Sequence, residues 1–244
     1  MSSNWRSVVD GVPWARLFIE GGVIVFSILL AFAIDAWWDE RQEREREVQQ
    51  LARVSAELKL NEDSFTAKLT DLRRAFAAAV VQQSWMGENP EPVDADELTQ
   101  IWDRILGIGT LSIPSRAINE YLAAASEGDP EFTDIRDQLT EWAYRSERLS
   151  NQYSILRQKH SELTDYLISK PEMPVLSNLP DWMADAGLPT SSFPQDPSSL
   201  LDDVLLENRL GDYMIRLLFL DNMLDQQLQR QVELIRLINE TIAT

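Results

Sequence analysis

Between Leu17 and Trp38 the chain is apolar almost without a break (LFIEGGVIVFSILLAFAIDAWW), and from there on the apolar positions are spaced by threes and fours. The first pattern predicts a transmembrane helix. In helical form this stretch extends about 33 Å, enough to cross a bilayer's hydrocarbon with modest tilt. Gly21 to Ile34 is uninterrupted, and Glu20 and Asp35 fall just outside it. Trp14 on one side and Trp37 and Trp38 on the other stand roughly one bilayer thickness apart, as membrane-interface anchors do. No small-residue cleavage site follows the run, so it reads as a retained anchor and not as a signal peptide. The alternative is a core helix of a soluble protein; a wide apolar run with tryptophans at both ends speaks against it.

The second pattern predicts an all-α body. Residues 39–86 read as one helix leaving the anchor: Leu51, Leu58, Phe65, Leu72 and Ala79 recur every seven residues, with Val48, Leu69 and Phe76 as companions and Ser55 and Glu62 as polar interruptions. Such a narrow seam suits a coiled coil or a long antiparallel bundle. The charge run 39–47 reads as a solvated face. Gly87 and the prolines after it end that helix. Asp94 or Asp96 caps a short helix through Leu106, Gly107 to Ser115 is a turn, and Ser115 caps another short helix, Arg116 to Ser126. Asp129-Pro130 then opens a long helix. On it Phe132, Leu139, Tyr153, His160 and Leu167 form one line, and Ile135, Trp142, Leu149, Leu156 and Leu163 the next, with Ser146 the small polar step.

Residues 170–197 form the longest irregular stretch. Prolines bracket Trp182, Met183 and Phe193, which makes these three either a lid over the bundle end or a partner-docking loop. The last helical region opens at Asp196-Pro-Ser-Ser, capped by Ser198 or Ser199, and shows a short apolar face of Leu200, Leu201, Val204 and Leu205 before Gly211. The final helix carries Leu210, Leu217, Leu224 and Ile238 on one line and Met214, Leu228, Ile235 and Ile242 on the other. Asp221 and Gln231 interrupt it, as polar groups that fix register or partner choice do. The organisation is thus a tail over 1–16, a transmembrane helix over 17–38 and a helical bundle over 39–244.

Charge and composition narrow the function. Of the net charge of −18, residues 1–38 carry −1, from Arg6 and Arg16 against Asp10, Glu20 and Asp35, and the rest carries −17. A body this acidic is repelled by nucleic acid and by anionic head groups. The chain has no cysteine, which excludes disulfides, thiolate catalysis and cysteine metal sites. No nucleophile elbow, HExxH, P-loop or EF-hand spacing is present. The GIG of residues 107–109 follows no strand and has no basic residue in its loop, so it is no phosphate cradle. Asp202 and Asp203 are adjacent acids that read as solvated. His160, the single histidine, falls on the buried seam and reads as a satisfied core or boundary residue, short of the ligands a metal site needs. No catalytic residue, cofactor, metal or small-molecule substrate is expected. The lipid bilayer and other membrane-protein subunits, or further copies of this chain, are the expected partners. Within the anchor, Glu20, Ile24, Ser27, Ala31 and Asp35 share one face, polar or small except for Ile24; either Glu20 and Asp35 merely snorkel to the interfaces, or this face packs on another transmembrane helix.

Charge alone leaves orientation open: a literal positive-inside count of Arg41, Arg44, Arg46 and Arg53 against the tail leans towards a cytoplasmic body. The stretch from Glu20 to Arg41, EGGVIVFSILLAFAIDAWWDER, resembles the opening of a large family of uncharacterised bacterial single-span proteins, in which the anchor ends in a polar-x-Trp step followed at once by a charged helix. Tyr121 to Trp142 is similar to that family's small-residue helix, short turn and long helix. The resemblance implies the bacterial inner membrane, a cytoplasmic N-terminus and a periplasmic body, and no activity. The expectation is a non-enzymatic structural or accessory subunit of a larger membrane assembly, of which an energy-converting complex is one conceivable kind, or of a homo-oligomer. The alternative is a periplasmic sensor whose helical bundle signals through the anchor; with sixteen residues before it, such a sensor relies on a partner for its output.

Overall fold

A computed structural model describes residues 14–88, 90, 93–124, 132–170 and 197–243. Among these residues every regular element is helical: α1 (Trp14–Trp85), α2 (Ala95–Leu106), α3 (Arg116–Ala124), α4 (Thr133–Ile168), a single 3-10 turn at Pro197–Leu200, and α5 (Val204–Ala243). The all-α reading of the sequence is correct. The chain divides into two compact units, Met1–Gln50 and Leu51–Thr244, and α1 contributes to both.

In the first unit α1 is apolar and long enough to cross a membrane, and none of its apolar window is buried. Phe18, Ile24, Phe26, Leu29 and Phe32 are all more than half exposed. That exposure is the opposite of a core helix. The charged run that follows is solvated through Arg46, with Arg41 paired to Glu45 at 3.1 Å one turn on.

In the second unit three long helices share a core, and α5 runs antiparallel to both of the others. Against α1, Asn239 meets Ser55, Asp221 and Asp225 meet Arg73, and Glu207 meets Gln83. Against α4, Gln231 meets Trp142, Asp212 meets Lys159, and Asp203 meets Lys170. It follows that α1 and α4 run in the same direction, so the bundle is only partly antiparallel, and α2, Gly107–Ser115 and α3 make the return crossing. Asp94 caps α2 as expected, accepting from the N–H groups of Asp96 and Glu97 at 3.0 and 3.2 Å.

The seams follow heptads, with instructive differences. α4 buries both expected lines, from Phe132 to Leu167, with His160 half-buried. On α5 the first line holds, but the second is Leu206, Tyr213, Leu220, Gln227 and Leu234, one residue from the expected one. Of the expected line, Ile235 is buried, whereas Met214, Leu228 and Ile242 are only half-buried. Either line repeats every seven residues beside Leu210 and Leu217, so periodicity could not choose between them; the rotation that buries Tyr213 and Gln227 also frees Asp221 to pair with Arg73. On α1 the second line is Val54, Asn61, Lys68, Ala75 and Gln82, polar at three places. Gly211 does not interrupt α5. Leu200 and Leu201 are buried, whereas Val204 and Leu205 face outward.

Candidate functional site

In the apolar part of α1 the expected residues share a face. Glu20, Ser27, Ala31 and Asp35 lie on one side of α1, within less than a quarter turn at 3.6 residues per turn, and all four are exposed. The structure puts the expected packing residues on one stripe. The Ser27 hydroxyl, however, donates to the Val23 carbonyl one turn back at 2.8 Å, so its hydrogen is committed within α1 and Ser27 contributes smallness more than polarity. At the end of the stripe Trp37 and Trp38 lie 6.3 Å apart in a tilted arrangement, and the Arg41 guanidinium sits 5.8 Å from the Trp37 ring centre. Trp14 is the first helical residue. Trp182, Met183 and Phe193, and the Asp129-Pro130 and Ser126 signals, lie outside the described residues.

The ends of the 171–196 segment are held together. Asp203 caps α5, accepting from the N–H groups of Leu205 and Leu206 at 3.0 and 3.1 Å. Its other oxygen takes the Tyr166 hydroxyl at 2.7 Å and the Lys170 ammonium at 2.5 Å. Tyr166 in turn lies between two cations, Lys170 at 4.5 Å and Arg209 at 4.8 Å from its ring centre. Burial would raise the Asp203 carboxyl's pKa; the hydrogen bonds from Lys170, Tyr166 and the Leu206 amide outweigh it and hold it at about 2. Asp203, read from the sequence as a solvated acid, is therefore the cap of α5, a role expected of Ser198 or Ser199. Its neighbour Asp202 is exposed.

Inside the bundle, polar side chains tie the helices at fixed heights. Gln231 is fully buried; its amide donates to the Leu58 carbonyl of α1 at 2.8 Å and accepts from the Trp142 indole of α4 at 3.0 Å. One turn away, Gln227 donates to the Trp142 carbonyl and to the Ser146 hydroxyl at 3.2 and 2.9 Å. The sequence marked Gln231 as a polar interruption that fixes register or partner choice, and in the structure it bridges three helices.

A second buried network was not foreseen. Lys68 is 2% exposed; its ammonium donates to the Ile108 carbonyl and lies 5.3 Å from the Tyr153 ring centre. Desolvation lowers its pKa, the Asp71 carboxylate opposes that shift, and the Arg157 charge adds to it. Tyr153 donates to the Gly109 carbonyl at 2.5 Å, and burial pushes its phenol up. Asn61 donates to the Pro114 carbonyl at 2.7 Å and Ser64 to that of Ser112 at 3.3 Å. His160 lies 2.9 Å by Nε2 from the Leu106 carbonyl, and Tyr213 donates to the Ile105 carbonyl at 3.0 Å, so His160 is the satisfied boundary residue expected. Glu57 accepts from two amides in the first turn of α3, Ala117 and Ile118, at 3.0 and 3.3 Å, in place of the Ser115 side-chain cap. The one signal in the sequence is the polar stripe Glu57, Asn61, Ser64 and Lys68, which helical spacing puts along a single face of α1.

Among the described residues the fold comprises a helical bundle and one exposed apolar helical stretch. No protein-family model, curated protein or solved structure matches the chain.

Proposed function

We infer that this is a single-span membrane protein whose helical body serves as a structural or accessory subunit of a larger membrane assembly or homo-oligomer. The observation that carries the reading is the apolar stretch of α1 from Phe18 to Trp38, exposed throughout and closed by the Trp37–Trp38–Arg41 cluster. Water does not tolerate an apolar surface of this length on a stable soluble monomer; a bilayer does. Within the bilayer the Glu20–Ser27–Ala31–Asp35 stripe, exposed throughout, packs on a second helix, because its small residues Ser27 and Ala31 admit close approach. The body lies in the periplasm of a bacterial inner membrane, an orientation that rests on the resemblance of the anchor.

The test is alkaline extraction of membranes combined with a photocrosslinking residue placed at Ala31 or, on the opposite face, at Leu29. The chain stays in the membrane, and Ala31 captures protein while Leu29 captures lipid. Release by carbonate would sink the anchor; equal capture of protein from both faces would remove the packing stripe. A phosphatase fused after Thr244 is active only with the body outside the cytoplasm.

A further inference from the structure

The stretch Gly107–Ser115 is fastened to the bundle almost wholly by side chains. It runs against the direction of α1, so that Asn61, Ser64 and Lys68 meet the carbonyls of Pro114, Ser112 and Ile108 in turn, and Tyr153 of α4 takes that of Gly109. Its two ends are fixed posts. His160 and Tyr213 hold the last turn of α2 through Leu106 and Ile105, and Glu57 holds the start of α3. Between the posts Ile108 is the one fully buried apolar side chain, with Leu111 and Ile113 half-buried; α4, by contrast, buries apolar side chains along its whole length, from Ile135 to Leu167. The chain leaves α2 through glycines with little room for a replacement. A Cβ at Gly107 would come 2.9 Å from the Asp103 carbonyl oxygen, and Gly109 has φ +54°.

We propose that Gly107–Ser115 is a latch, which swings off α1 as a unit while α1, α4 and α5 stay packed, and that Lys68 holds it closed. Opening breaks none of the helices' own hydrogen bonds, which places it among the low-cost local openings of a folded protein. Among the described residues Lys68 supplies the one charged bond to the latch, and charge-assisted hydrogen bonds are roughly twice as strong as neutral ones. The charged groups facing it are Asp71 on α1 and Arg157 on α4. Closed, the latch ties α1 to α4 by a route separate from direct helix contact. Open, it uncovers Asn61, Ser64, Lys68 and Tyr153 as a row of hydrogen-bond donors.

The absence of cysteine makes the test direct. Single-cysteine variants of the full chain in detergent, Ile108→Cys under the latch and Leu149→Cys in the α4 core, are reacted with a thiol reagent under native conditions. The latch thiol of Ile108→Cys reacts at least tenfold faster than the core thiol of Leu149→Cys, at a rate nearly independent of low urea, since local opening exposes little surface. Adding Tyr153→Phe speeds the latch thiol severalfold and Lys68→Met at least tenfold, with the core thiol unchanged. Equal rates for the two thiols, rising together with urea, would overturn the latch. A latch-thiol rate that Lys68→Met leaves unchanged would overturn the role of Lys68. If Lys68→Met does not fold, Tyr153→Phe and Ser64→Ala carry the same comparison.

Discussion

Gln231→Leu isolates the contribution of the buried polar layer. The variant keeps the side-chain volume near constant and removes two hydrogen bonds, to the Leu58 carbonyl and from the Trp142 indole. Leu58 retains its place in the α1 ladder, so the loss there is about 1 kcal/mol. Trp142 is 3% exposed, and its stranded N–H costs about 1–3 kcal/mol. Replacing an amide by methyl groups in a core returns about 1 kcal/mol, which leaves a net destabilisation of about 2 kcal/mol. For a body of this size that lowers Tm by about 4–8 °C. The second half of a double-mutant cycle is Trp142→Phe, which removes the stranded donor. Starting from Gln231→Leu, it restores part of the loss; starting from the parent chain, it destabilises. The coupling is about 1–2 kcal/mol, read from urea unfolding of the full chain in detergent followed by far-ultraviolet circular dichroism. Additive effects, or a neutral Gln231→Leu, would refute the claim that this bridge sets the register of three helices.

Gln82→Met tests the opposite case. Gln82 is fully buried with neither amide atom bonded among the described residues, so the apolar near-isostere raises stability by about 1–3 kcal/mol, seen as a higher midpoint in the same urea titration. Asp203→Ala removes the cap of α5 and the clasp on Lys170 and Tyr166; the loss is about 2–3 kcal/mol, with Asp203→Asn intermediate because the amide still caps. The parent chain also loses this contribution in acid. The carboxyl is held at about 2 against an ordinary 3.8, so its stabilisation of roughly 2 kcal/mol is complete above pH ~4 and fades as pH falls towards 2. Asp203→Ala flattens that part of the stability–pH curve, and an unchanged curve would contradict the assignment. Gly109→Ala, at φ +54°, costs about 1 kcal/mol, measurable as a lower Tm.

Apolar periodicity made most of the fold legible. The two lines of α4, Phe132 to Leu167 and Ile135 to Leu163, were readable because they hold almost only apolar side chains and one helix face was unambiguous. The second line of α1 was not, because Asn61, Lys68 and Gln82 occupy it. Two of these three have partners on elements distant in sequence, and no local pattern announces a lysine that is buried because a loop carbonyl forty residues on accepts its proton. The second line of α5 was misplaced by one residue for a related reason. Met214, Leu228 and Ile242 are more apolar than Tyr213 and Gln227, yet the hydroxyl of Tyr213 and the amide of Gln227 have partners inside the bundle. Asp203 was misread because its cap is local, whereas Lys170 and Tyr166 reach it from the far side of an irregular segment. The apolar helical stretch from Phe18 to Trp38 was the easiest element to read, since length and apolarity suffice for it.

The central claim is that the anchor and body belong to an assembly. Its most direct measurement is purification of the tagged full-length chain from native membranes in a mild detergent, with mass determination and identification of everything that co-migrates. The account predicts a stoichiometric membrane-protein partner or a defined homo-oligomer, weakened by Glu20→Leu together with Asp35→Leu. A lone monomer, unaffected by those substitutions, would contradict it.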